Sequence, residues 1–103
     1  MHIVVLITVA NKKEAKKIAS VLLKNRLAPC VNIIDKIDSL FWWEGRINSA
    51  KEVLLIVKSR KDKFSKLVKL VKANHSYQVP EIICLPVTAG LASYLRWWDD
   101  YLR

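Results

Sequence analysis

The sequence is short of loop-making residues. Two glycines and three prolines among 103 residues point to few tight loops and long regular elements. Reactive side chains are scarce too, with two histidines and two cysteines. Cys30 and Cys84 each lie inside an apolar run and form no CxxC pair. The usual zinc and thioredoxin spacings are therefore missing, and buried, reduced thiols are expected. Gly45 and Gly90 are too far apart for a phosphate-cradling loop. No apolar run approaches the roughly 20 residues needed to span a bilayer. Met1-His2-Ile3-Val4-Val5-Leu6-Ile7 lacks the basic stretch and cleavage site of an export signal, so a cytoplasmic protein with no membrane partner is expected. No serine, histidine and acid occur in an order that the elements would bring together, and an enzyme is not expected.

Apolar residues and lysine are plentiful instead. Hydrophobic residues make up 52% of the chain, well above a disordered composition. The length fits one domain, residues 1–103, with one modest core. Net charge is +9, from 18 Lys and Arg against 9 Asp and Glu, which raises nucleic acid or an anionic surface as partners. Lys58, Arg60, Lys61, Lys63, Lys66, Lys69 and Lys72 form a basic stripe broken by Asp62 alone. Its spacing matches the solvated face of a helix whose other face is core. The aromatics lie in a hairpin and the last helix, away from the strands where an RNA-binding sheet carries its stacking residues. Nucleic acid is accordingly not expected, and the lysines read as the exterior of a thermostable protein.

Along the chain, His2 to Val9 is a continuous β-branched run, a strand buried on both faces. Asn11 with Glu14 signals a helix N-terminus. Ala15, Ile18, Ala19, Leu22 and Leu23 follow at helical spacing, and Asn25 is placed to end the helix in a left-handed conformation. Ala28 to Trp43 is extended, with bends expected at Asp35-Lys36 and Asp38-Ser39. Glu44-Gly45 makes the turn into a strand over Arg46 to Lys58 with an irregular start at Asn48-Ser49-Ala50. Ser59 and Asp62 look like a second cap, before a helix ending near Asn74. Val79 to Val87 is a strand. Leu91, Tyr94, Leu95, Trp98 and Leu102 make one face of a last helix.

The order β-α-β-β-α-β-α predicts an α+β fold: a ferredoxin-like βαββαβ sandwich with an extra C-terminal helix, its first and third strands central. Proline is confined to sheet edges and bulges, and Pro29, Pro80 and Pro86 fall in the second and fourth strands. Those edges are long and apolar, with Ile33, Ile34, Leu40, Phe41, Trp42 and Trp43, and invite pairing with another chain. A homo-oligomer of cyclic symmetry is expected, with some of the four tryptophans either at its interface or in the core.

These residues also resemble a known family. The segments Leu27-Ala28-Pro29-Cys30-Val31-Asn32-Ile33, Phe41-Trp42-Trp43-Glu44-Gly45-Arg46-Ile47, Glu52-Val53-Leu54-Leu55-Ile56-Val57-Lys58, His75-Ser76-Tyr77-Gln78-Val79-Pro80-Glu81-Ile82-Ile83 and Tyr94-Leu95-Arg96-Trp97 are similar, in order and spacing, to the CutA divalent-cation-tolerance proteins. The resemblance implies a PII-like homotrimer, tolerance of or response to copper and other divalent cations, copper binding in some members, and no established enzyme activity. Ser76 stands where the family usually has proline. Asn74 and Ile7 replace a histidine and a cysteine of some members, and Leu91 replaces a common asparagine.

The stretch from Asn74 to Ile83 gathers the chain's chemistry. His75 and Glu81 offer an imidazole nitrogen and a carboxylate oxygen, which suit Cu(II) or Zn(II). The alternative is structural use: His75 at the helix end, Glu81 paired with a lysine or a backbone amide. Trp43 and Tyr77 are candidates to line a cleft between subunits that binds a small ligand, as in PII-like signalling proteins. Cys30 is a further cleft candidate, and it could add a thiolate to the metal only if the fold or a neighbouring subunit brings it close. No cofactor is required.

Overall fold

The computed structural model describes residues 1–102. Strand β1 spans His2–Val9, helix α1 Lys12–Lys24, β2 Cys30–Trp43 and β3 Arg46–Arg60. A 3-10 turn over Lys61–Lys63 leads into α2, Phe64–Asn74, followed by β4, Ile82–Pro86, and α3, Ala92–Asp100. The sheet is antiparallel throughout, in the order β2-β3-β1-β4. This is the ferredoxin-like arrangement, with the first and third strands central.

Alternation along the strands divides the sheet into two faces. Ile3, Val5, Ile7 and Val9 of β1 and Val53, Leu55 and Val57 of β3 point to the helix side, each at 2% exposure or less. Ala15, Ile18 and Leu22 of α1 and Leu67 and Val71 of α2 close over them. The opposite face carries Val4, Leu6, Leu54 and Ile56, all partly exposed. It is flanked by the exposed Ile34, Ile83 and Leu85 of the edge strands.

Local chemistry sets the boundaries. Asn11 is extended and its Oδ1 accepts the Glu14 N–H at 2.8 Å, while Glu14 Oε2 accepts the Ala10 N–H at 3.3 Å. The returning bond of the cap thus reaches one residue further back than the usual box. Asn25 does not take the left-handed conformation. Arg26 does, at φ 56°, while Asn25 Nδ2 donates to the Val21 carbonyl at 2.8 Å.

Of the two expected bends in β2, only one exists. Pairing shifts between Ile34 and Ile37, where Lys36 has φ 58° and Asp35 Oδ1 accepts its N–H at 2.8 Å. Asp38 and Ser39 pair regularly with Lys51 and Ala50, so the start of β3 is regular as well. Glu44 and Gly45, at φ 52° and 75°, make the two-residue turn whose left-handed residues suit a hairpin.

The expected Ser59–Asp62 cap is absent. Ser59 is a fully buried residue of β3, and its hydroxyl donates to the Leu27 carbonyl at 2.6 Å. A 3-10 turn precedes α2, and no side chain caps either. Strand β4 is shorter than the 79–87 expected. Pro29 and Pro80 precede the edge strands and Pro86 ends one, so the strands bounded by proline are the edges.

Helix α3 closes one end of the sheet. Trp98 Nε1 donates to the Ser59 carbonyl at 3.0 Å, just past the point where β2 begins opposite Lys58. The Trp98 ring stands edge-on to His2, centroids 5.0 Å apart. Trp98 and Leu102 are buried, whereas Leu91, placed by its spacing on the same face, is 73% exposed.

Candidate functional site

The Asn74–Ile83 stretch is held by hydrogen bonds at three places. Helix α2 ends at Asn74, whose Nδ2 donates to the Leu70 carbonyl at 2.8 Å. His75 turns extended and lies against the end of β1. Its Nε2 is 2.8 Å from the Thr8 carbonyl, and its Nδ1 accepts the Tyr77 N–H at 3.0 Å. An acceptor at Nδ1 places the proton on Nε2, so Nε2–H donates to Thr8 in the neutral ring. Both ring nitrogens are therefore engaged within the chain.

Ser76 ties the stretch to α1. Its N–H donates to Glu14 Oε1 at 2.6 Å and its hydroxyl to Oε2 at 3.1 Å. Burial pushes the Glu14 carboxyl up, but the Ser76 hydroxyl and amide and the Ala10 amide outweigh it and hold the group below the usual carboxylate value. Tyr77 then reaches β3, its hydroxyl donating to Glu52 Oε2 at 2.7 Å. Glu52 is 8% exposed and sits opposite Ile37, the first pair beyond the bulge. Burial, the Glu52 hydrogen bond and its negative charge push the Tyr77 phenol above its ordinary range.

Beside this anchor runs an open groove of about 830 Å³. Tyr77, Val79 and Glu81 line it together with Phe41, Trp43 and Glu52 of the hairpin. Three of the five residues singled out from the sequence thus meet here: Trp43, Tyr77 and Glu81. His75 does not line the groove, although its ring is 4.8 Å from that of Tyr77. Glu81 is exposed.

Cys30 lies apart from the groove within the chain. Lys58 Nζ is 3.9 Å from its Sγ and also bonds Asn32 Oδ1. Burial, and after it the neighbouring Cys30, push the Tyr94 phenol up. Among the described residues, no three His, Cys, Asp or Glu side chains cluster as a metal-ligand set.

Sequence reasoning missed Glu52 as the partner of Tyr77 and Glu14 as the partner of Ser76. The first had a signal. A carboxylate directly before Val53-Leu54-Leu55-Ile56-Val57, in phase with Leu54 and Ile56, is carried toward apolar surroundings and must find a donor. The second had none, because the cap explained Glu14 already.

Topology and register thus define a ferredoxin-like α+β domain with a polar anchor at the end of α2 and a groove beneath its long hairpin. The chain belongs to the CutA1 family, described as the CutA1 divalent ion tolerance protein, whose profile matches residues 3–101. It is 46% identical over 100 residues to the divalent-cation tolerance protein CutA of Archaeoglobus fulgidus, covering 97% of each. It is also 46% identical over 101 residues to the chloroplastic protein CutA 1 of Oryza sativa, covering 98% of this chain and 57% of that protein. The chain therefore spans little more than half the length of the rice protein. The solved structure of the periplasmic divalent cation tolerance protein CutA from A. fulgidus superposes with a TM-score of 0.97 at 45% identity, covering 100% of both chains. That of the Thermus thermophilus protein gives 0.93 at 45% identity, covering 95% of both. The relatives' compartments differ, chloroplast in one and periplasm in another, and lend no support to the cytoplasmic expectation.

Proposed function

We propose that this chain acts in tolerance of divalent metal ions as a homotrimer, by weak binding and not by catalysis. The observation that carries this reading is the match to the archaeal divalent-cation tolerance protein along 97% of both chains. The apolar, outward-facing hairpin and the open sheet face support assembly, since exposed apolar surface of this extent marks contact with another chain.

His75 and Glu81 are the proposed ligands for Cu(II) or another divalent cation. Nδ1 of His75 is the nitrogen easier to free, because a metal there displaces only the Tyr77 N–H, whereas at Nε2 it displaces a proton and the Thr8 bond. Either exchange costs a hydrogen bond, which keeps affinity modest. The groove favours a second reading: a small ligand bound at the cleft lined by Trp43 and Tyr77, with Cys30 added only by a neighbouring subunit.

Titration calorimetry of Cu(II) and Zn(II) into chelator-stripped protein, with mass from light scattering in the same buffer, tests both parts. Saturable binding that is lost in His75→Ala, at the mass of a trimer, is expected. Unchanged titration in that variant removes His75 as a ligand, and a monomer at micromolar concentration removes the assembly.

A further inference from the structure

The charge of this chain is concentrated in one layer. Residues 12–24 and 61–74, which form α1, the 3-10 turn and α2, hold ten lysines and two carboxylates. The rest of the chain holds eight basic and seven acidic residues. Almost all of the net positive charge therefore sits on the helices. Both helical carboxylates are used internally. Glu14 takes the Ser76 and Ala10 donors, and Asp62 is held by Nε and Nη2 of Arg60, both at 3.1 Å. None of the ten lysines forms an ion pair among the described residues, where the pairs involve His2, Lys51 and Arg60, and only Lys63 adds its charge to the hold on Asp62. All ten are exposed except Lys63, which is half-buried.

The two helices pack side by side on the same face of the sheet. The sequence alone shows a basic stripe on α2. The fold sets α1, with Lys12, Lys13, Lys16, Lys17 and Lys24, beside it and widens the stripe into a face. That face lies on the side of the sheet away from the exposed apolar strand surface, so covering the latter does not by itself cover it.

We propose that the outer face of α1 and α2 docks double-stranded nucleic acid through its phosphates, without reading sequence. The dimensions fit. A 13-residue helix is about 20 Å long, which matches about six base pairs at 3.4 Å per phosphate along one strand. The chemistry fits a backbone contact specifically. Lysine is a flexible point charge suited to phosphate oxygens, while neither helix carries an arginine, the residue that most often reads guanine edges. An anionic membrane is the poorer match, because surface-lying helices insert apolar side chains, and Leu23 is the only large apolar residue exposed on either helix.

The test is fluorescence anisotropy of labelled DNA and RNA duplexes with the full chain, from low to physiological salt. Binding is expected to weaken steeply, with a log–log slope of about −4.5 if about five lysines engage phosphates. The double variant Lys16→Glu with Lys69→Glu should lose at least about tenfold in affinity. Lys36→Glu with Arg46→Glu on the hairpin changes net charge equally and should stay within about twofold. Light scattering on both variants keeps assembly out of the comparison. Absence of binding at low salt overturns the proposal, as does equal loss in both variants, which would mean bulk charge alone. Tighter binding to phosphatidylserine vesicles than to duplex would overturn it in favour of a membrane.

Discussion

The two halves of the β2–β3 hairpin follow the same rule and meet different fates. Before the bulge at Ile34/Ile37, β2 and β3 lie within the sheet, and Leu55 and Val57 are fully buried beneath the helices. Beyond it, residues 37–43 and 46–52 continue as a paired ribbon past the core, in a molecule 45 Å long and 25 Å wide. The ribbon also carries many large apolar residues, yet Leu40, Trp42 and Ile47 are 64–73% exposed. Backbone pairing is complete in both halves, so hydrogen bonding does not separate them; the presence of a covering layer does. The ribbon's side chains are suited to a surface that this chain does not itself provide.

Four measurements bear on that contrast. Leu55→Ala, in the covered half, should cost about 2–5 kcal/mol in urea unfolding, because a fully buried leucine leaves a cavity. A loss near zero would mean that the covered half is not what stabilises the sheet. Tyr77→Phe acts at the junction, where it leaves the buried Glu52 carboxylate without its phenol donor. A loss of about 1–3 kcal/mol is expected. The raised Tyr77 ionisation carries its own sign. Stability from the protonated phenol is complete below the unfolded value near 10 and is lost as pH rises beyond it. Wild type should therefore lose stability in alkali more steeply than Tyr77→Phe.

Glu14→Gln, in the helix layer, should cost about 1 kcal/mol at neutral pH. The lowered Glu14 value means that this contribution is present above the unfolded value near 4.5 and disappears as pH falls below it. The difference between wild type and variant should close in acid. Trp42→Ser, in the ribbon, should change the unfolding free energy of an isolated chain by no more than about 0.5 kcal/mol, while sedimentation shows weaker assembly. An unchanged mass would show that the ribbon does not bind a second copy.

The fold was legible because its signals were redundant. Periodicity gave the elements, Asn11 marked the start of α1, and the prolines marked the edges before any pairing was known. The missed details were places where one residue had two plausible employers. Ser59 resembled a cap and is instead a buried strand residue bonded to Leu27, because β3 runs on to Arg60. Asn25 resembled the left-handed residue, yet its side chain bonds Val21 and Arg26 takes the turn. Within the site, Trp43, Tyr77 and Glu81 were legible as polar or aromatic residues near breaks in the pattern. Glu52's need for a donor was legible, but the donors to Glu52 and Glu14 were not, since Tyr77 and Ser76 lie 25 and 62 positions away and only the packed sheet brings them together.

The placement of β1 at the centre of the sheet has a consequence for the order in which the chain assembles during synthesis. Its partners are β3 and β4, both later in the chain, so β1 waits longest for a neighbour. At roughly 5–20 residues per second, several seconds separate the emergence of Val9 from that of Arg60. Through that interval a strand of the most apolar character in the molecule has no sheet to join. The β2–β3 hairpin, closed by a two-residue turn, can form early from local contacts, whereas β1 contributes the non-local ones that slow folding. While the domain is being made it is thus most exposed to misassociation through β1, ahead of the hairpin whose edges remain open in the folded chain.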